Sequence, residues 1–162
     1  MVGAAFETVH GTCVAWQGRG VLLLGRSGSG KSAVALQMMG MGAELVADDQ
    51  VRISAEPDGP WASALPRLAG LIEARGIGLL RVGHTASARI VLAVDMEMNE
   101  TARLPQLRTR RITSGCVPLI AGAERPYLSQ EVLACLRHGR EPLLLDPDDF
   151  QDPEDKSHAD RD

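Results

Sequence analysis

The sequence has 162 residues, of which 44% are hydrophobic and 23% charged, with a formal net charge of -4. This length fits one globular domain and excludes a large two-lobed kinase. Aromatic residues make up only 3%, which argues against a protein that stacks single-stranded nucleic acid on its side chains. Because acids are concentrated near the C-terminus, the rest of the chain is close to neutral, and this argues against DNA binding.

Membrane attachment and cysteine chemistry are both unsupported by the sequence. No apolar run reaches the roughly 18 to 20 residues of a membrane span, and residues 1–7 lack the pattern of a signal peptide. We therefore expect a cytoplasmic protein. Cys13, Cys116 and Cys135 are far apart in the sequence, which favours buried free thiols over a disulfide framework or a zinc site.

Apolar runs and turn residues alternate along the chain in a way that predicts both strands and helices. A helix at 129–138 is expected to begin at Ser129 as its N-cap and to end at Gly139. Residues 1–149 are predicted to form a single domain, and the acidic segment 150–162 a disordered tail. We predict strands at 8–16, 21–24, 44–47, 89–95 and 112–120, another helix at 31–41, and turns at 17–20 and 57–60.

A glycine-rich loop follows the strand predicted at 21–24. Residues 25–32 read Gly-Arg-Ser-Gly-Ser-Gly-Lys-Ser and fit the phosphate-binding pattern G-x-x-x-x-G-K-[ST]. The pattern belongs between a strand and a helix, and both are predicted here. Glycine is required because backbone N–H groups must turn inward around a phosphate, at φ angles that other residues avoid. The candidate nucleotide-binding residues are Gly25, Arg26, Ser27, Gly28, Ser29, Gly30, Lys31 and Ser32.

Two side chains at the start of the following helix complete this predicted site. Lys31 would reach the β- and γ-phosphates, and the Ser32 hydroxyl would bind Mg²⁺ beside the positive end of the helix dipole. Only two of the 17 basic residues are lysines, and one of them stands here, where a compact ammonium suits a phosphate. The loop alone leaves ATPases, GTPases, small-molecule kinases and regulatory switches open.

Adjacent carboxylates, Asp48 and Asp49, follow the strand predicted at 44–47. If that strand lies beside 21–24, both acids emerge near the phosphate loop. One could then hold magnesium, while the other takes a proton from an attacking hydroxyl. Neighbouring residues of a strand point to opposite faces, so the two acids can share a role only if the strand has ended.

Several other groups have structural explanations when each is taken alone. Taken alone, His10 is better explained as a structural histidine than as one that orients an aspartate. Glu73 is better explained by a salt bridge to Arg75 or by solvent exposure. Asp95, at the end of a predicted strand, also favours a structural role. Three arginines form a basic cluster: Arg108, Arg110 and Arg111. We expect them to lie in a solvated loop, with contact to an acidic partner or a neighbouring subunit as the alternative.

Together these features resemble the catalytic domain of HPr kinase/phosphorylase, a bacterial family that phosphorylates a serine of the phosphocarrier protein HPr. The resemblance covers roughly residues 5–95. Its most specific part is the aspartate pair followed by Glu-x-Arg-Gly-x-Gly at 73–78. The segments that carry it are 9–11, 25–32, 45–51 and 72–80.

The resemblance implies a fold, a reaction and a set of roles. The implied fold is an α/β domain, a P-loop-containing mixed sheet flanked by helices and related to phosphoenolpyruvate carboxykinase, in a hexamer. ATP and Mg²⁺ would be the cofactors, and an HPr-like phosphocarrier the partner. Asp48 would be the base for the serine hydroxyl, assisted by His10 and by Lys31 at the phosphates. The groups implied to hold or surround magnesium are Ser32, Asp49 and Glu73.

Departures from the family pattern narrow this expectation. The matching segment begins close to Met1, which implies a short, alpha-proteobacterial-type form without the family's separate N-terminal domain. Residues 122–127 stand where the family has a Pro-Gly-Arg-Asn segment associated with phosphorolysis, so we expect the serine kinase activity and leave phosphorolysis open. Two alternatives stay open: a P-loop kinase of a small metabolite, and a non-catalytic ATP-sensing module.

Overall fold

The computed structural model of the protein describes residues 5–139. Over this range the chain forms eleven strands, two α-helices and one 3₁₀ turn at Pro66–Leu68. The helices are α1 (Lys31–Gly40) and α2 (Leu128–His138). The strands are β1 (Phe6–His10), β2 (Thr12–Trp16), β3 (Arg19–Leu24), β4 (Glu44–Ala47), β5 (Gln50–Glu56), β6 (Gly59–Ala64), β7 (Leu71–Ala74), β8 (Gly78–Arg81), β9 (Ser87–Asp95), β10 (Arg108–Ile112) and β11 (Gly115–Ala121).

Nine of the strands in residues 5–139 form one curled sheet, with the main order β1-β5-β6-β9-β3-β2-β4. The first residues of β9 pair with β6 and its last residues with β11, which also pairs with β10. The pairs β3–β9 and β9–β11 are parallel and the other pairs are antiparallel. The sheet is therefore mixed, as predicted, while β7 and β8 form a separate hairpin.

Apolar side chains cover both faces of the sheet around β3. Leu22 and Leu24 belong to one buried cluster, and Val21 and Leu23 belong to a second cluster that also contains the apolar residues of α1 and α2. This alternation follows from the pleat of a strand. Burial on both faces explains why β3 ends in a continuous apolar run. A mixed α/β fold packed by helices is confirmed, and its relation to phosphoenolpyruvate carboxykinase stays a prediction.

The strand at 44–47 does not lie directly beside 21–24, because β2 stands between β3 and β4. Gln17 and Gly18 join β2 to β3 with φ angles of 48° and 78°. Positive φ at both turn residues is typical of a tight hairpin turn, so β2 pairs with β3 and occupies the neighbouring position. Since β4 is antiparallel to β2, it runs parallel to β3, and its carboxyl end still lies at the edge that carries the glycine-rich loop.

The single strand predicted at 8–16 is divided at Gly11 into β1 and β2, which pair with different strands. A Cβ atom at Gly11 would lie 2.8 Å from the carbonyl oxygen of Leu23. Only glycine therefore lets the chain pass this close to β3. The break brings His10 and Thr12 to the same edge of the sheet.

Three local predictions are corrected by the structure. Ser129 lies within α2 rather than at its N-cap, which is Tyr127, although Gly139 does end the helix. The basic cluster predicted as a loop is strand β10, in which all three arginines are exposed. Cys13 is buried, and burial raises its pKa to about 12, but Cys116 is exposed, so the prediction of buried thiols fails there.

Two predictions involve residues outside the described range 5–139. The acidic segment 150–162, predicted to be disordered, lies outside the described residues, and the single domain at 1–149 stays a prediction. Among residues 5–139, neither helix is long and apolar enough to cross a membrane.

Candidate active site

The glycine-rich loop connects β3 to α1 and has the backbone conformation that the sequence predicts. Gly25, Gly28 and Gly30 have φ angles of 144°, 86° and 97°. A Cβ atom at Gly25 would lie 2.7 Å from Oγ of Ser29, so a side chain there would push the loop apart. The loop has the narrow turn that a phosphate cradle needs.

Lys31 spans this loop from the first turn of α1. The residue is 6% exposed, and Nζ donates hydrogen bonds to the carbonyl oxygens of Gly25 at 2.6 Å and Arg26 at 2.9 Å. Burial lowers the pKa of Lys31, while the negative charges of Asp48, Asp49 and Glu97 act in the opposite direction. Two carbonyl oxygens of the loop thus fix the position of the ammonium group.

Glu97, which the sequence analysis did not select, anchors the front of the loop. Its carboxylate accepts hydrogen bonds from the backbone N–H of Arg26 at 3.1 Å and pairs with Nε of Arg26 at 2.8 Å. The backbone N–H of Glu97 in turn donates to Asp95 at 2.9 Å. Because β9 is the parallel neighbour of β3, its carboxyl end brings both acids beside the loop.

Asp48 lies directly after β4 and is 7% exposed. Its Oδ1 accepts hydrogen bonds from the hydroxyls of Ser32 and Thr12, each at 2.8 Å, and its Oδ2 accepts one from the backbone N–H of Glu73 at 3.1 Å. A buried carboxylate requires such partners. Asp48 therefore connects the loop, the edge of β2 and the β7–β8 hairpin.

Asp49 faces a different environment. Its side chain is 66% exposed, and its φ of 68° is rare for a residue other than glycine. Oδ1 of Asp49 lies 3.4 Å from Nδ1 of His10, and the carbonyl oxygen of Asp49 accepts a hydrogen bond from Gly11. The left-handed turn ends the strand and separates the two aspartates, and it pairs His10 with Asp49.

These side chains surround one open cleft with a volume of about 440 Å³. Glu73 and Arg75 reach it from the β7–β8 hairpin, opposite the loop. Every predicted catalytic and metal-binding residue lines the cleft, and Thr12 joins them without having been predicted. The predicted set is His10, Lys31, Ser32, Asp48, Asp49 and Glu73.

The donor set is compatible with magnesium bound together with a nucleotide. Within the described part of the chain, no group of three or more His, Cys, Asp or Glu side chains is arranged to hold a metal ion. Magnesium commonly uses one or two carboxylates, water and the oxygens of substrate phosphates instead of a complete protein cage. The Ser32 hydroxyl and the carboxylates of the cleft fit that second arrangement.

Comparisons with known proteins agree on one family. The family model described as HPr Serine kinase C-terminal domain matches residues 3–106. HPr kinase/phosphorylase 1 of Oceanobacillus iheyensis is 44% identical over 102 residues, which are 58% of this chain and 33% of that protein. The HPr kinase/phosphorylase of Brevibacillus brevis is 32% identical over 136 residues, which are 76% of this chain and 44% of that protein. The chain spans about a third of the length of these first curated relatives, with 33% of each covered by the match.

A solved structure supports the same fold. The Hpr(Ser) kinase/phosphatase from Coxiella burnetii superposes with a TM-score of 0.71 and 24% sequence identity. The match covers 81% of this chain and 88% of that one. The curled mixed sheet with its two helices is therefore an architecture already seen in a solved protein.

Proposed function

From the premise that this chain belongs to the HPr Serine kinase C-terminal domain family, we propose that it transfers the γ-phosphoryl group of ATP to a serine of an HPr-like phosphocarrier protein. The observation that supports this most is the hydrogen bond from the Ser32 hydroxyl to Asp48 at 2.8 Å. It joins a phosphate-binding loop to a carboxylate that lines the same cleft. Phosphoryl transfer requires these two groups side by side.

The loop would hold the nucleotide and stabilise its charge. Backbone N–H groups of the loop and the ammonium of Lys31 surround the position of the phosphates, and the N-terminus of α1 points toward it. When bound, Mg²⁺ would neutralise negative charge on the β- and γ-phosphate oxygens. Because these groups are already in position, little reorganisation is needed as charge shifts in the transition state.

Asp48 is the proposed base. An ionised carboxylate has about four acceptor positions, and two donors occupy Oδ1 while one occupies Oδ2. Oδ2 therefore keeps a position for the serine hydroxyl. As the serine oxygen forms its bond to phosphorus, its proton passes to Oδ2 of Asp48, and the bond to the leaving ADP oxygen breaks.

The remaining predicted residues line the cleft around this pair. We propose that Asp49 and Glu73, with Ser32, would hold or surround magnesium. His10 would act on the acid that it contacts, Asp49, and would assist Asp48 only through that neighbour. These roles are predictions that site-directed variants can separate.

The wider assignment follows the family resemblance. We propose a cytoplasmic serine kinase that assembles as a hexamer and takes part in regulating the phosphotransferase system. The forward kinase reaction is proposed without phosphorolysis, because residues 122–127 differ from the segment linked to it. The attribution to a short alpha-proteobacterial form stays a prediction, and the matched relatives described above give it no support.

Intact-mass measurement of candidate acceptors tests this function. The purified chain, ATP and Mg²⁺ are incubated with the HPr-like proteins of the same organism, with Lys31→Ala as the control. We expect one phosphoryl group on an HPr-like protein with the wild-type chain and none with Lys31→Ala. Transfer to a small hydroxyl compound alone would indicate a metabolite kinase, and ATP binding without any acceptor would indicate a sensing module; either result contradicts the proposal.

A further inference from the structure

Thr12, the first residue of β2, places a hydroxyl in the cleft. The residue is 0% exposed, and Oγ1 donates to Oδ1 of Asp48 at 2.8 Å. Threonine is an ordinary strand residue, so nothing in its local sequence sets it apart. The tertiary contact with Asp48, 36 residues away in the chain, makes it unusual.

Two hydroxyls share one oxygen of Asp48. Ser32 belongs to the phosphate loop, so its hydroxyl must serve the nucleotide and the metal as well. Thr12 belongs to the sheet and has no such second task. Its hydrogen bond can therefore hold Oδ1 of Asp48 during the whole reaction, whatever Ser32 contacts.

The position of Oδ2 depends on how Oδ1 is held. The backbone N–H of Glu73, in the β7–β8 hairpin, donates a hydrogen bond to Oδ2. The hydroxyl of Thr12, at the start of β2, donates one to Oδ1. Donors on both oxygens restrict rotation of the carboxylate about its last side-chain bond. We propose that Thr12 is a positioning residue that keeps Oδ2 of Asp48 directed at the acceptor hydroxyl.

This inference rests on the proposed function of Asp48 as the base. A displacement of about 1 Å at a reacting group can cost about 100-fold in rate. Loss of the Thr12 hydroxyl should therefore lower kcat for phosphoryl transfer roughly 10- to 100-fold. ATP affinity should change little, because Thr12 does not belong to the loop.

The test compares Thr12→Val, which removes only the hydroxyl and keeps the shape, with Thr12→Ser, which restores it. Ser129→Ala is the matched control, because Ser129 is another buried hydroxyl, on α2 and outside the cleft. Thermal unfolding is measured first, and Thr12→Ala replaces Thr12→Val if the valine variant does not fold. Transfer kinetics and ATP titrations are then measured for every folded variant.

A double-mutant cycle shows whether Thr12 acts through Asp48. We expect Thr12→Val to lower kcat in the wild-type background and to leave the residual rate unchanged, within about twofold, in the Asp48→Asn background. Thr12→Ser should recover most of the rate. Wild-type kcat in Thr12→Val, equal losses in the serine and valine variants, or additive losses with Asp48→Asn would overturn the inference and leave the proposed function intact. Absence of transfer by the wild-type chain would overturn both.

Discussion

The Ser32 hydroxyl donates a hydrogen bond to Asp48 at 2.8 Å, although the strands that precede these residues, β3 and β4, are separated by β2. The contact forms because β4 runs parallel to β3 and ends at the same edge of the sheet. Asp48 reaches across the end of β2, where Thr12 supplies a second donor to the same oxygen. The geometry of the cleft thus depends on the sheet order as much as on the loop.

Replacement of Gly25 by alanine should weaken nucleotide binding. The new Cβ would lie 2.7 Å from Oγ of Ser29, at a φ of 144° that alanine rarely adopts. We expect ATP affinity, measured by titration calorimetry, to fall at least tenfold. Gly18→Ala is the control, since Gly18 also has a positive φ but no atom within 4 Å of the added Cβ. It should lose stability without losing affinity, and equal affinities for wild type and Gly25→Ala would contradict this account of the loop.

Removal of the Glu97 charge should loosen the front of the loop. Glu97→Gln loses the ion pair with Arg26, whose side chain is 84% exposed, so global stability should change by less than about 1 kcal/mol. ATP affinity should nevertheless fall several-fold, because the backbone N–H of Arg26 loses a charged acceptor. Glu131→Gln on α2, which disrupts a comparable pair with Arg125, is the matched control. If both variants bind ATP equally well, Glu97 is not an anchor.

Lys31 should make the free energy of unfolding depend on pH in a definite direction. Burial lowers its pKa in the folded protein, so between that value and its usual 10.5 the unfolded chain binds more protons. The contribution of Lys31 to the free energy of unfolding therefore rises with pH through that interval. Below the interval, Lys31 is charged in the folded protein and its full desolvation cost applies.

The corresponding measurement is urea unfolding of Lys31→Met and wild type at neutral pH and near pH 10. We expect the variant to be at least as stable as wild type at neutral pH, because methionine removes a buried charge. The wild type should gain relative to the variant as the pH increases. If the wild type instead becomes less stable relative to Lys31→Met as the pH rises, the predicted direction of the pH dependence is refuted.

The loop was predictable from sequence because its constraints are local. Gly25, Gly28 and Gly30 each adopt a positive φ, and Lys31 contacts carbonyls only five and six residues away. The end of β4 at Ala47 was predictable for the same reason, since charged residues follow an apolar run.

The relations between strands were not predictable, because pairing depends on distant parts of the chain. The split at Gly11 reflects contact with Leu23, and Thr12 reads as an ordinary strand residue until Asp48 is placed beside it. Glu97 gives no local signal, since its importance comes from the parallel pairing of β9 with β3. The charge of the arginines in β10 favours a solvent-exposed loop on sequence grounds, but an edge strand exposes them to solvent equally well.

The transfer activity of Asp48→Asn tests the central claim most directly. Asparagine keeps the shape of the side chain but removes the negative charge and the capacity to accept a proton. The account predicts that this variant still binds ATP, by calorimetry, while its rate of phosphoryl transfer to the HPr-like acceptor, by intact mass, falls at least about 100-fold. Transfer at the wild-type rate by a folded Asp48→Asn protein would contradict it.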